Sequence, residues 1–361
     1  MKKLETIDAE ELTNTPLPAL RYVVDQLLPQ GLHILAGAPK IGKSWLALWL
    51  CLRVAKGEPV WDFGTRQGTV LYLCLEDSYA RVQQRLLQFS EDAPAELRLT
   101  NLSERIGGGL ETQLSQFLSE YPGTVLVVID TLQKVRGSAP ESNPYANDYR
   151  DISALKALAD RHGIAILLIH HLRKMNDDDP LNMISGTTGI SGATDSSFVL
   201  KPSKRGSDTA TLYCTGRDVE YRELPLRFQK DAHIWDLTEA VPMETAIPDP
   251  AILSLSAFLK GLVVFDGTAT ELSHLLEDHS GEQILPSVLA KRLVRYAGEL
   301  DKAGIYISSS RTRDTRLLHI RCTNDGSDGN DGRNDTGPVP NLLSQSSQLS
   351  PTDNITALCP A

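Results

Sequence analysis

The chain has 361 residues, a formal net charge of −10, 41% hydrophobic and 23% charged residues, which is an ordinary globular composition with room for a sizeable core. An acidic chain of this kind does not adhere to nucleic acid as a whole, so any such contact needs a local basic patch. Five widely spaced cysteines without a CxxC argue against a disulfide framework or a structural zinc site. No charged start leads into a long apolar run and no stretch of about 18 apolar residues occurs, so secretion and membrane spanning are not expected and a cytoplasmic location is.

Residues 1–20 are polar, carry Pro16 and Pro18, and read as an N-terminal arm. From Gly31 the pattern becomes strand, loop, helix. Residues 32–36 form a short apolar strand, a Gly-rich turn follows, and a helix runs from about Lys43 to Lys56. Strands are expected at 69–75, 124–129 and 164–169, with helical stretches at 78–89 and 149–161. Near-continuous apolar strands alternating with helices are buried on both faces, which predicts an α/β domain with a mainly parallel sheet over residues 21–240. Short β-like runs at 196–200, 209–215, 224–229 and 233–237 are placed to extend that sheet with antiparallel strands. Residues 241–250, with Pro242, Pro248 and Pro250, read as a linker. A second unit over 251–322 is predicted to hold helices at 251–260, 269–278 and 287–303, then two strands near 304–308 and 316–321. Residues 323–361 are rich in Asn, Asp, Gly, Ser and Pro and are expected to be disordered.

The clearest motif is Gly37-Ala38-Pro39-Lys40-Ile41-Gly42-Lys43-Ser44, a GxxxxGKS loop between an apolar strand and a helix that opens at Lys43 and continues with Trp45. Gly37 and Gly42 let the backbone wrap closely around phosphate oxygens. The N–H groups of the loop and the positive helix end attract an anion. Lys43 is placed to reach the β- and γ-phosphates, and the Ser44 hydroxyl to ligate Mg²⁺. Lys40 adds a cation to the loop. The expected ligands are therefore ATP and Mg²⁺.

Acidic residues at strand ends supply the rest of a hydrolytic set. Asp130 ends the apolar run VLVVID, where a carboxylate faces the ligand crevice and is able to hold the water shell of Mg²⁺. Glu76 ends LYLCLE and continues its strand more directly than Asp77, which makes it the candidate for polarising the attacking water. His170 and His171 end the fourth strand, and His170 is the candidate sensor of the γ-phosphate.

Taken together, GAPKIGKSWLALWLC, LYLCLEDS, VLVVIDTLQKV, LLIHHLRK and SGTTGISGATDSSFVL resemble the RecA-like ATPases of plasmids, phages and integrated elements, a group that includes RepA-type hexameric replicative helicases and DnaB-like proteins. The resemblance covers roughly residues 20–237. It implies nucleotide and magnesium binding by Lys43 and Ser44, catalysis by Glu76, a Walker B role for Asp130 and a sensor position for His170. It also implies a mobile loop over 172–192 that faces single-stranded DNA in a ring, with Arg173 and Lys174 as its cations. Arg217, in CTGRDVE, takes the place of an arginine that reaches a neighbouring subunit's ATP, so a homo-oligomer, a hexameric ring, is implied. Lys201, Lys204 and Arg205 are alternatives for that role, and an ion pair with Asp218 or Glu220 is the plainer reading of Arg217.

Residues 285–322 hold eight basic and three acidic residues, locally +5 in a chain of −10. Three helices followed by a hairpin resemble a winged helix. Lys291, Arg292 and Arg295 would lie on the recognition helix, and Arg311 and Arg313 on the wing, as phosphate contacts. Two functions fit: a DNA-associated ATPase motor, a RepA-type ring helicase working beside other replication proteins, or a non-translocating ATPase switch such as a helicase loader, replication regulator or repair accessory protein.

Overall fold

The computed structural model describes residues 6–13, 15, 17, 20–137, 144–173, 179–184, 188–204, 206–239, 250–281, 283–311 and 315–323. The expectations for Lys174, Arg205, Arg313, most of the linker and nearly all of the tail lie outside these residues. The chain divides into two compact units, one spanning Leu20–Ala246 and the other combining Met1–Ala19 with Ile247–Ala361. The segment read as an N-terminal arm thus groups with the C-terminal unit. Its short helix α1 (Ala9–Thr13) carries Glu11, whose carboxylate lies 3.6 Å from Arg316.

The larger unit opens with a small antiparallel pair, β1 (Tyr22–Val24) and β2 (Leu28–Pro29). Its main elements follow in the order β3 (Gly31–Gly37), α2 (Lys43–Lys56), β4 (Thr69–Cys74), α3 (Tyr79–Phe89), β5 (Leu97–Thr100), α4 (Leu110–Glu120), β6 (Thr124–Asp130), α5 (Leu132–Val135), α6 (Pro144–His162), β7 (Ala165–His171), α7 (Thr188–Ala193), β8 (Ser196–Pro202), β9 (Thr209–Gly216), β10 (Arg222–Gln229) and β11 (Ile234–Leu237). They build one nine-stranded sheet in the order β11-β10-β9-β8-β3-β7-β6-β4-β5. The strands from β8 to β5 are parallel, and β9, β10 and β11 add antiparallel pairs at one side. The mainly parallel α/β core anticipated from the apolar strands is present, and the four late β-runs extend the sheet. The first of them, β8, joins it parallel to β3 and not antiparallel as expected, because the chain crosses back between β7 and β8 and reverses direction only in the pairs that follow.

Burial explains the difference in texture between the two halves of the sheet. Every residue of β3 and β6 is buried, because helices cover both faces, whereas β9 alternates between buried and half-exposed positions. One apolar cluster unites α2 with Val70, Tyr72, Cys74, Leu126, Val128, Leu167 and Ile169; the other unites α4 and α6 with Leu71, Leu73, Val127, Ile129, Ile166 and Leu168. Several short elements went unforeseen, among them β1, β2, α5 and α7, and so did β5 and α4. The edge strand β5 is only four residues long and half-exposed, so it carries little periodic signal, and α4 buries Leu110, Leu114 and Leu118 at intervals of four.

The smaller unit has its own core around Leu259, Leu272, Leu289, Leu293, Leu300 and Ile320. Its elements are α8 (Pro250–Leu262), β12 (Val264–Gly267), α9 (Ala269–Ser280), α10 (Pro286–Arg295), α11 (Ala297–Lys302), β13 (Ile305–Arg311) and β14 (Arg316–Cys322). The three strands pair antiparallel in the order β12-β14-β13. Here the sequence reading needs two corrections. The helix predicted over 287–303 is two helices that meet at Tyr296, whose φ of −105° and ψ of 15° break the helical path. A strand, β12, precedes α9; it is four residues long, contains Asp266 and Gly267, and exists through pairing with the distant β14.

Candidate functional site

The phosphate loop joins β3 to α2 at the C-terminal ends of the parallel strands. Gly42 caps α2 with φ 99°, and Lys40 has φ 63°, so the loop holds two left-handed positions within three residues. A Cβ on Gly37 would lie 3.0 Å from the Leu200 carbonyl oxygen and 3.1 Å from the Lys43 side chain; one on Gly42 would lie 2.9 Å from Trp235 Nε1. Both glycines sit in tight surroundings, and Gly42 is required by backbone angle as well. At its other end α2 stops at Gly57 (φ 71°), whose N–H donates to Val54 O while Glu58 N–H donates to Arg53 O.

Lys43 is buried, and its ammonium donates to Gly37 O at 2.8 Å and Ala38 O at 3.0 Å. Burial lowers its pKa to about 8, against the raising influence of the Asp130 and Glu76 carboxylates. Ser44 and Trp45 are half-buried in the first turn. Trp45 is fixed by stacking on His233 at 4.6 Å, an edge contact with Phe89 and the Arg85 guanidinium 5.1 Å above its ring. Ala38 and Ile41 are half-buried, and Pro39 and Lys40 are exposed on the outside of the loop.

Asp130 is 3% exposed and shares the sheet face of Leu126 and Val128, the face that α2 covers. Its Oδ2 accepts a 2.7 Å hydrogen bond from the Tyr72 hydroxyl, while Oδ1 has no hydrogen-bond partner among the described residues. Burial raises the carboxyl pKa, and Glu76 and Asp77 push it the same way. Ser44, beside it without closing a hydrogen bond to Oδ1, and Tyr72 favour the charged form. A buried carboxylate with one open oxygen next to a serine hydroxyl suits a hydrated divalent cation. Ser44 and Asp130 are the residues that would hold Mg²⁺, which when bound with nucleotide neutralises charge on the phosphate oxygens.

The two acids after β4 have different employment. Asp77 bonds Arg81 at 2.7 Å and Arg85 at 2.6 Å, tying α3 to the strand end. Glu76 is exposed, and its Oε1 accepts from the Thr131 hydroxyl at 3.2 Å. Thr131 directly follows Asp130, so the strand end that carries one acid also steadies the other.

The remaining candidates are dispersed. His170 is buried and pairs with Ala36 across β3 and β7; alternation puts it on the face of Ile166 and Leu168, whereas His171 shares the face of Asp130. Arg217 follows β9 at the end of the sheet away from the phosphate loop: Gly216 pairs with Ser196 at the start of β8, while Gly37 pairs with Leu200. Its side chain is 65% exposed and Nη1 lies 3.4 Å from Asp195 Oδ1, not from Asp218 or Glu220. Lys201 and Lys204 lie at the loop end of the sheet. Arg173 donates from its guanidinium to Asn182 O. In the second unit Lys291 and Arg295 are exposed on α10, Arg292 is half-buried beside them, and Arg311 ends β13. Arg295 packs over the Tyr296 ring at 5.6 Å.

Sequence reasoning missed Tyr72, Thr131 and Asp195. Asp195 is buried and accepts from Leu32 N–H at 2.8 Å and Lys156 at 3.0 Å, joining β3, β8 and α6. The available signal was parity: Tyr72 is two residues before Cys74, which pairs with Asp130.

Among the described residues no helix is long and apolar enough to cross a membrane. No curated protein sequence is similar to the chain. A solved structure described as an ATPase domain is 14% identical with a TM-score of 0.49, the alignment covering 58% of this chain and 85% of that one. Residues 2–177, which contain the phosphate loop, Glu76, Asp130 and His170, match the family model of the AAA domain, and this similarity supports an ATPase-type nucleotide site on the mainly parallel sheet.

Proposed function

We propose that the Leu20–Ala246 unit is an ATP-hydrolysing motor that acts on DNA, of the RepA-type ring-helicase kind that replicates a plasmid, phage or integrated element. The observation that carries this reading is the meeting of Lys43, Asp130 and Glu76 at one end of the parallel strands, with Glu76 exposed and held by Thr131 while Asp77 is spent on two arginines. In the reaction, Glu76 accepts a proton from water as its oxygen bonds to the γ-phosphorus and the bond to the bridging oxygen breaks. Lys43 and the loop N–H groups hold the phosphates. His170 or its neighbour His171 reports the state of the γ-phosphate to the segment that follows β7. Arg217, exposed and remote from its own loop, serves the site of a neighbouring copy, so the working form is a ring in the cytoplasm, with six copies expected.

The second unit supports a winged-helix reading: α9 and α10 precede a β13–β14 hairpin, with β12 completing the sheet. Lys291, Arg292 and Arg295 on α10, with Arg311 at the end of β13 and Arg313, which lies between β13 and β14 in sequence, are its proposed phosphate contacts. In the sequence that follows β7, Arg173 and Lys174 are the proposed contacts to single-stranded DNA.

The test is ATP turnover with and without single-stranded DNA, for the wild type and Lys43→Ala. Turnover that rises with DNA and vanishes in the variant is expected, followed by separation of a forked duplex. A purified protein that hydrolyses no ATP refutes the reading at its base. One observation favours a second reading: the Arg173 guanidinium is engaged with the Asn182 carbonyl of its own loop. A non-translocating switch, loading a helicase or regulating replication, is the outcome if turnover ignores DNA and strands stay paired.

A further inference from the structure

Tyr72 is the one residue of β4 whose side chain couples the apolar core to the acidic end of the crevice. Its ring is fully buried between α2 and the sheet, in the cluster of Cys51, Val70 and Val128. In the register of the sheet Cys74 stands opposite Asp130, so Tyr72 shares the face of that carboxylate one pleat back. The length of the phenol spans this diagonal, and its hydroxyl donates to Asp130 Oδ2 at 2.7 Å. The packing alone would be met by phenylalanine; the hydroxyl is an added polar group in a strand otherwise chosen for apolarity.

The two oxygens of Asp130 are thereby made unequal. Oδ2 is anchored, which restrains the carboxylate from swinging about its terminal torsion. Among the described residues Oδ1 has no hydrogen-bond partner, though the Ser44 hydroxyl stands beside the carboxylate; this is an expensive condition for a buried acid unless something from outside the chain completes it.

We infer that Tyr72 is a positioning residue: it holds Asp130 by Oδ2 and so aims Oδ1 at the water shell of the magnesium that accompanies the nucleotide. The inference rests on the ATP reading above, and it assigns a role in metal coupling to a residue that touches neither nucleotide nor metal.

The experiment measures the affinity of the full chain for the fluorescent N-methylanthraniloyl derivative of ADP, first in EDTA and then across a Mg²⁺ series. Tyr72→Phe is compared with the wild type, and melting curves accompany both. The expected result is unchanged affinity in EDTA and roughly tenfold more Mg²⁺ needed to reach the half-maximal gain, the scale of one hydrogen bond to a charged group. In an Asp130→Asn background the same substitution is expected to add nothing further. An unaltered Mg²⁺ requirement overturns the inference, as does an equal loss of affinity with and without metal, which marks a structural role. A wild type that binds no nucleotide defeats the ATP reading instead, and is distinguished on that ground. Should Tyr72→Phe not fold, 3-fluorotyrosine at position 72 keeps the shape and the donor. Its ¹⁹F resonance is expected to move when Mg²⁺ joins the bound nucleotide, and a resonance indifferent to Mg²⁺ overturns the inference.

Discussion

Lys43→Met should change how stability depends on pH. The lysine is 6% exposed and its pKa falls from 10.5 to about 8 in the folded chain. Below about pH 8 the folded and unfolded chains both carry the charge, and the folded state bears the full cost of having buried it. Between about 8 and 10.5 the unfolded chain binds more protons than the folded one, so stability rises with pH in that window. At about 1.4 kcal/mol per pKa unit the whole effect is roughly 3 kcal/mol, of which roughly 2–3 kcal/mol is relieved between about pH 7 and pH 10. Lys43→Met has no such group, so the stability difference between variant and wild type should shift by that amount across the window, toward the wild type. All four tryptophans, Trp45, Trp49, Trp61 and Trp235, belong to the Leu20–Ala246 unit, so urea unfolding followed by tryptophan fluorescence reads that unit alone. Other groups titrate near pH 10, but they do so in both proteins and cancel in the difference. The physical meaning is that the loop lysine is held at a cost that phosphate relieves. A variant whose stability tracks the wild type in parallel from pH 7 to 10 refutes that account.

Three further outcomes follow from the geometry. Gly42→Ala forces a side chain into φ 99° and within 2.9 Å of Trp235 Nε1, so the loop should lose about 1–2 kcal/mol from the backbone alone; unchanged nucleotide affinity and melting temperature would count against the cradle. Arg217→Ala should lower turnover of the assembled protein by about a thousandfold while leaving nucleotide binding intact; mixing it with Glu76→Gln subunits should restore turnover at interfaces that pair an intact arginine with an intact glutamate, and no recovery would exclude action between copies. Thr268→Ala removes the cap of α9, where the threonine accepts from Glu271 N–H at 3.2 Å and Glu271 accepts from Thr268 N–H at 2.7 Å. It should cost the second unit about 1 kcal/mol in circular dichroism melts without moving the tryptophan transition.

Much of the core was legible because its signals are local. The strands at 31–37, 124–130 and 165–171 are apolar nearly throughout since helices cover both of their faces, and α2 runs between a Gly42 start and a Gly57 stop, both at positive φ. The GxxxxGKS spacing was equally direct, as it is a local string in which Gly42 supplies the positive φ where the turn meets the helix. Glu76 against Asp77 was harder: adjacent acids look alike in a string, and the arginines that claim Asp77 lie one and two turns into the next helix. In the second unit a helical pattern over 287–303 was continuous, yet the chain turns at Tyr296 to bring both Leu293 and Leu300 into one core.

By itself, then, the amino-acid order determined a mainly parallel α/β sheet, a phosphate loop and an acid at each of two strand ends, because each depends on residues within a few positions of one another. Tertiary structure alone decided which oxygen of Asp130 stays open, which acid is solvent-facing, and that Arg217 stands at the far end of the sheet from its own loop. Those properties belong to pairs such as Tyr72 with Asp130, Thr131 with Glu76 and Gly216 with Ser196. The members of the first two pairs are more than fifty residues apart, and strand order and register, not local pattern, bring them together.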